Sequence, residues 1–182
     1  MKNWFSGENL GQSGPAQTVA AGLVLLGMVV TIGSALAFEH IGGFAPCALC
    51  LEQRVPYYWG MPLVALGLIF GWLNWPGVLV RLMLLAGLIC LLATIYLGIY
   101  HSGVEWGFFE APESCAAGFS ATSSDAGSLL ESLATAKPPS CADAAGRFLG
   151  LSFAGWNVVA ASVLAAIALR GAFGSPNLSS ET

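Results

Sequence analysis

The run "VPYYWGMPLVALGLIFGWLNWPGVLVRLMLLAGLICLLATIYLGIY" (55–100) holds a single charged side chain, Arg81. A span needs ~20 mainly apolar residues to cross ~30 Å of hydrocarbon. Two such stretches lie here, 55–73 and 78–100, parted only by "NWPG" (74–77). A connection that short makes the second stretch double back beside the first. Backbone groups in lipid must be paired within their own segment, which selects helices over open strands. The run reads as an antiparallel pair of membrane-spanning helices.

Two more stretches of spanning character flank it, 17–38 and 150–169. Four spans imply an all-α membrane protein, a four-helix bundle forming a single domain over 1–182, with both termini on one side. Composition agrees: the 182 residues are 56% hydrophobic and 9% charged, against roughly 25% charged in soluble domains. The net charge of −4 comes without a basic run, which argues against a nucleic-acid partner. "SALAF" (34–38) has the small-x-small pattern of a signal cleavage site. The apolar run before it exceeds the ~7–15 residues of a signal core, so the first stretch is read as a retained span.

The loops fall at 39–54 and 101–149. The longer one has proline-marked edges, "EAPESC" (110–115) and "KPPSC" (137–141). Within it "SLLESLATA" (128–136) has Ser128 and Glu131 at capping-box spacing and leucines grouped on one side, the pattern of a short amphipathic helix at the membrane surface. Trp72 and Trp75 mark one membrane boundary; Tyr57, Tyr58, Trp59, Trp106, Phe108 and Phe109 mark the other. Lysine and arginine are split evenly between the two sides and do not orient the chain. Cysteine usage does more. Of five cysteines, Cys47, Cys50, Cys115 and Cys141 fall on the long-loop face. An even set there points to an oxidising compartment, which makes that face periplasmic and the termini cytoplasmic.

"PCALCLEQR" (46–54) opens the second span. Proline suits the first helical position, and a sulfur in the opening turn feels unpaired N–H groups and the helix dipole, which stabilise a thiolate. Arg54 follows Cys50 by one helical turn, so Cys47, Cys50 and Arg54 share a stripe, provided that the turns before Pro56 are helical. Other readings stand beside this one. All four cysteines could ligate a structural zinc, although a metal site is not the expectation. Cys115 and Cys141 could staple the long loop, worth about 3 kcal/mol in the chain-entropy model, and spacing alone favours that staple. His40 and His101 read as solvated interfacial side chains unless one serves an acceptor that takes up protons. Cys90, inside the third span, reads as an inert core residue.

Taken together, "PCALCLEQR", the two loop cysteines and "FLGLSFAGWN" (148–157) closely resemble the DsbB family, bacterial inner-membrane oxidases that regenerate the periplasmic thiol oxidase DsbA and pass electrons to quinone. The resemblance implies two redox-active disulfides, Cys47–Cys50 and Cys115–Cys141, and it turns the loop pair from a staple into a second redox pair. It implies that Cys115 receives reduced DsbA, that Cys141 exchanges with Cys47, and that Cys50 faces the ring of a ubiquinone or menaquinone with Arg54 bonding a quinone oxygen. It also sets His101 near the quinone, in a stretch, "YHSGVEWGFFE" (100–110), that departs from the enterobacterial pattern. The implied partners are a DsbA-like client, the quinone pool and the bilayer of the inner membrane. A vitamin K epoxide reductase-like oxidase would carry its CxxC near the end of the last span, where this chain has no cysteine. A non-enzymatic scaffold with structural disulfides is the remaining alternative.

Overall fold

A computed structural model describes residues 13–116, 140–144 and 146–173. Four long helices carry it: α1 (Pro15–His40), α2 (Ala48–Trp72), α3 (Gly77–Glu105) and, after a short α4 (Glu113–Ala116) and a two-stranded hairpin, α5 (Phe153–Phe173). All four are long and apolar enough to cross a membrane. Neighbours around the bundle are α1–α2, α2–α3, α3–α5 and α5–α1, while α1 and α3 meet only slightly across the diagonal. The inner seam is a single apolar cluster with Val24, Met28, Tyr57, Val64, Leu84 and Leu91 at its centre. Outward, Leu26, Ile89 and Tyr96 are 60%, 68% and 70% exposed. A bundle with an apolar outside as well as an apolar inside is a multi-pass membrane protein, since only lipid solvates both.

Close approach of the helices depends on small residues, as expected where lipid is as apolar as the core. A Cβ added to Gly67 on α2 would stand 2.9 Å from Cβ of Met83 on α3. A β-carbon cannot swing aside, so a larger residue must part the two helices. Gly67→Leu is expected to cost about 1–3 kcal/mol, the usual range for overpacking, and to lower the melting temperature in detergent. An unchanged melt would mean that this seam is not close-packed.

The first three helices outrun the spans read from sequence at the end that carries the cysteines, and the last starts short of its span. The second helix starts at Ala48 rather than at 55, and Pro56 and Pro62 lie inside it without ending it. The third runs on through His101 to Glu105. The last begins at Phe153, because residues 147–152 form a hairpin not foreseen from sequence. There β1 (Arg147–Phe148) pairs with β2 (Leu151–Ser152), Arg147 opposite Ser152 and Phe148 opposite Leu151. Leu149 and Gly150 turn between them at φ 51° and 84°, the positive sign at both positions that a type I′ turn takes to match strand twist. Ser152 Oγ then accepts the Gly155 N–H at 3.2 Å, and the Trp156 indole donates to the Phe148 carbonyl at 2.9 Å. These bonds fix the start of α5 against the hairpin. The amphipathic helix expected at 128–136 lies outside the described residues.

Candidate active site

Cys47 is the N-cap of α2. Its backbone is extended, and its sulfur accepts the Cys50 N–H at 3.3 Å. The i, i+3 spacing brings the two sulfurs to 2.7 Å, both as free thiols. The hydrogen bond shared with Cys50 holds the Cys47 thiol well below the ordinary range; against burial, His101 and the Cys50 amide act in the same direction. Cys47 is the sulfur of the pair on which the His101 ring and the Cys50 amide converge.

His101 arrives from the last turn of α3, 3% exposed. Its Nε2 lies 3.6 Å from Cys47 Sγ. Its Nδ1 lies 2.7 Å from the Gln53 side-chain nitrogen. Gln53 Oε1 accepts from Asn157 Nδ2 at 2.8 Å, and Asn157 Oδ1 accepts from the Tyr57 hydroxyl at 2.9 Å. Three helices thus contribute to one hydrogen-bonded chain of side chains, and the direction of that chain matters. Read from Tyr57, each group donates to the next, so the Gln53 amide donates to Nδ1. The ring proton then sits on Nε2, facing Cys47.

Cys115, on α4, is disulfide-bonded to Cys141. Cys141 is buried and packs in one cluster with Cys47, Leu49 and Val104, with Cys50, Tyr100 and Cys115 at its edge. All four cysteines named from sequence are thereby assembled at one end of the bundle. Because Cys115 and Cys141 are bonded to each other, the four-cysteine zinc arrangement is not formed. Cys90 lies apart, within α3, and His40 is exposed, its ring bonded to the Leu36 carbonyl of its own helix.

On the other side of Cys50 is a cavity of about 390 Å³ between α1, α2 and α5. Val30, Ile32 and Ala160 give it apolar walls, and Phe38, Phe44 and Phe153 pack edge and tilt on one another along its rim. Cys50, Arg54 and His101 reach it; Cys47 does not. Arg54 is paired with Glu39 from the end of α1, and both are largely shielded from solvent. A guanidinium has five N–H donors, so that pairing does not exhaust it. Volume and lining, mostly apolar with a few convergent polar groups, suit a small molecule.

The stripe argument for Cys50 and Arg54 matches their placement, since α2 is helical through Pro56. Cys47, as N-cap, turns instead toward His101. Sequence reasoning passed over Glu39, Gln53, Tyr57, Glu105 and Asn157 as site residues. A signal existed for one of them: Asn157 is an amide inside the last apolar stretch, where unpaired polar groups are costly and usually functional.

The family model described as "Disulfide bond formation protein DsbB" matches residues 17–170. The chain is also 27% identical over 132 residues to an uncharacterized protein, RP370, of Rickettsia prowazekii (strain Madrid E), covering 72% of this chain and 73% of that one. No solved structure matches it.

Proposed function

Since this chain belongs to the DsbB family, membrane thiol oxidoreductases of disulfide-bond formation, we propose that it oxidises a periplasmic DsbA-like thiol oxidase and passes the electrons to a quinone of the inner membrane. The observation that carries this reading is the two-sided placement of one cysteine pair. Cys47 packs against the Cys115–Cys141 disulfide, while Cys50 opens onto the cavity beside Arg54.

The exchange follows from that placement. A client thiolate attacks Cys115, the Cys115–Cys141 bond breaks, and Cys141 leaves as a thiolate. Cys141 attacks Cys47, breaking Cys47–Cys50 and leaving the electron pair on Cys50. The thiolate therefore moves to Cys50, the sulfur on the cavity wall, once Cys47 is bonded elsewhere. The second client thiolate releases the client as a disulfide and frees Cys115, which displaces Cys47 and restores Cys115–Cys141. Re-forming Cys47–Cys50 sends two electrons through Cys50; with two protons they convert quinone to quinol. The net reaction is client dithiol plus quinone to client disulfide plus quinol.

The cavity residues fit a quinone ring: apolar walls for its faces, a cation for an oxygen, a sulfur alongside. When bound, quinone supplies the electron sink that makes oxidation of so oxidising a client, about −120 mV for DsbA, run downhill. Arg54 would hold a ring oxygen and favour negative charge there. The reading puts the cysteine end on the periplasmic side and both termini in the cytoplasm.

Arg54→Ala tests the cavity assignment. With reduced client in excess, the apparent KM for a soluble quinone is expected to rise about tenfold or more, the loss of one charge-assisted hydrogen bond at about 1.5–3 kcal/mol. An unchanged KM would remove Arg54 from the site.

A further inference from the structure

Glu105 closes α3 one turn beyond His101, and its Oε1 stands 3.7 Å from His101 Nε2, both side chains 4% exposed. Its second oxygen, Oε2, is buried with no hydrogen-bond partner among the described residues. A buried carboxylate with an orphan oxygen is expensive to keep, and the polar group that Oε1 faces among the described residues is a ring nitrogen already engaged elsewhere. The relay read in the preceding subsection does not use Glu105.

Which nitrogen Glu105 approaches decides what it can do. A carboxylate on the far nitrogen of an imidazole would support a charged ring and so strengthen its hold on the thiolate, the arrangement of a catalytic triad. Here the far nitrogen, Nδ1, is taken by the Gln53 amide, and Glu105 approaches Nε2, the same nitrogen that faces Cys47. One N–H thus faces two groups: Cys47 Sγ at 3.6 Å, a hydrogen-bond distance for sulfur, and Glu105 Oε1 at 3.7 Å, an ion-pair distance longer than an oxygen hydrogen bond. When Cys47 is bonded in a disulfide, its sulfur is a weak acceptor and the N–H belongs to Glu105. When Cys47 is a thiolate, the two negative groups compete for one donor.

We propose that Glu105 is a positioning residue that sets the reducing power of the Cys47–Cys50 pair by competing with the Cys47 thiolate for the Nε2–H of His101. The competition withholds part of the hydrogen bond that would stabilise the reduced pair, and it adds a like charge nearby. Both effects favour the disulfide and press electrons outward through Cys50. The same contact holds the ring in place through the half of the cycle in which Cys47 is bonded. No proton or electron has to be supplied from outside: the N–H only changes acceptor. The proposal rests on the relay reading for its purpose, but its test needs neither client nor quinone.

Other groups that bear on Cys47 and His101 are the Cys50 thiol on α2, Arg54 across the cavity with its Glu39 partner from α1, and the Tyr57 hydroxyl acting through Asn157 and Gln53. The Cys115–Cys141 disulfide does not titrate.

The experiment uses the full-length protein in detergent. Alkylation of Cys47 by iodoacetamide in the reduced protein is followed by mass spectrometry against pH, and the Cys47–Cys50 pair is equilibrated with a dithiothreitol redox buffer. Glu105→Gln is expected to lower the pH midpoint of Cys47 alkylation by about one unit, as for removal of a neighbouring like charge. It should also shift the equilibrium about tenfold toward the dithiol, about 30 mV for two electrons. Glu105→Asp, which draws the carboxylate back by one methylene, is expected to shift both in the same direction by less, and it serves if the glutamine variant does not fold. His101→Ala should move the midpoint the other way. A midpoint that rises in Glu105→Gln would show a supporting carboxylate, and one unchanged in both Glu105 variants a purely structural one; either overturns the proposal. If both shifts appear but quinone is not consumed in the presence of client, the proposal stands and the relay reading fails.

Discussion

Cys50→Ala is expected to abolish quinone consumption driven by reduced client, leaving the rate seen without protein. Cys50 is the one cysteine of the inner pair on the cavity wall, and the sulfur 2.7 Å behind it, Cys47, is shut away from the cavity, 6% exposed. Electron transfer to a ring in that cavity has no second sulfur to fall back on. The substitution is small and sits in the first turn of α2, where alanine is a good helix former, so the bundle should survive it. The control is retention of the melting temperature together with an intact Cys115–Cys141 disulfide. Residual consumption in this variant would mean that the acceptor is reached by another route.

The second large effect separates the two cysteine pairs. Cys115→Ala/Cys141→Ala is expected to lose oxidation of the protein client entirely while keeping quinone consumption driven by a small dithiol such as dithiothreitol. A folded client cannot reach Cys47 under its cluster of Leu49, Val104 and Cys141, whereas a small dithiol can reach the partly exposed Cys50. On the proposed relay the outer disulfide would serve access and the inner pair chemistry. If the loop pair were only a staple, client and dithiothreitol activities would fall together as the loop loosened.

Much of this organisation was readable from the chain. The four apolar stretches gave the bundle because lipid leaves a backbone few options, and the tight "NWPG" connection set α2 against α3. The CxxC beside Arg54 marked the site, because helix periodicity alone puts Cys50 and Arg54 on one face. The boundaries at the cysteine end were less legible. Hydropathy windows stop at Arg54 and His101, yet the helices continue to Ala48 and Glu105, because their polar residues turn inward to one another rather than out to lipid. The same masking hid the network. Gln53, Asn157 and Glu105 come from α2, α5 and α3, and nothing local to any one segment says that they meet. The pairing of Glu39 with Arg54 is of the same kind. Long-range partners of polar groups are a property of the assembled bundle, whereas spans and caps are properties of short segments.

The sharpest measurement is an acid quench during turnover with reduced client and quinone, followed by digestion and mapping of disulfide-linked peptides. The relay described above requires a peptide joining Cys47 to Cys141 that rises early and decays as client is exhausted. Finding, at every time point, links only within Cys47–Cys50, within Cys115–Cys141, and between client and Cys115 would contradict it.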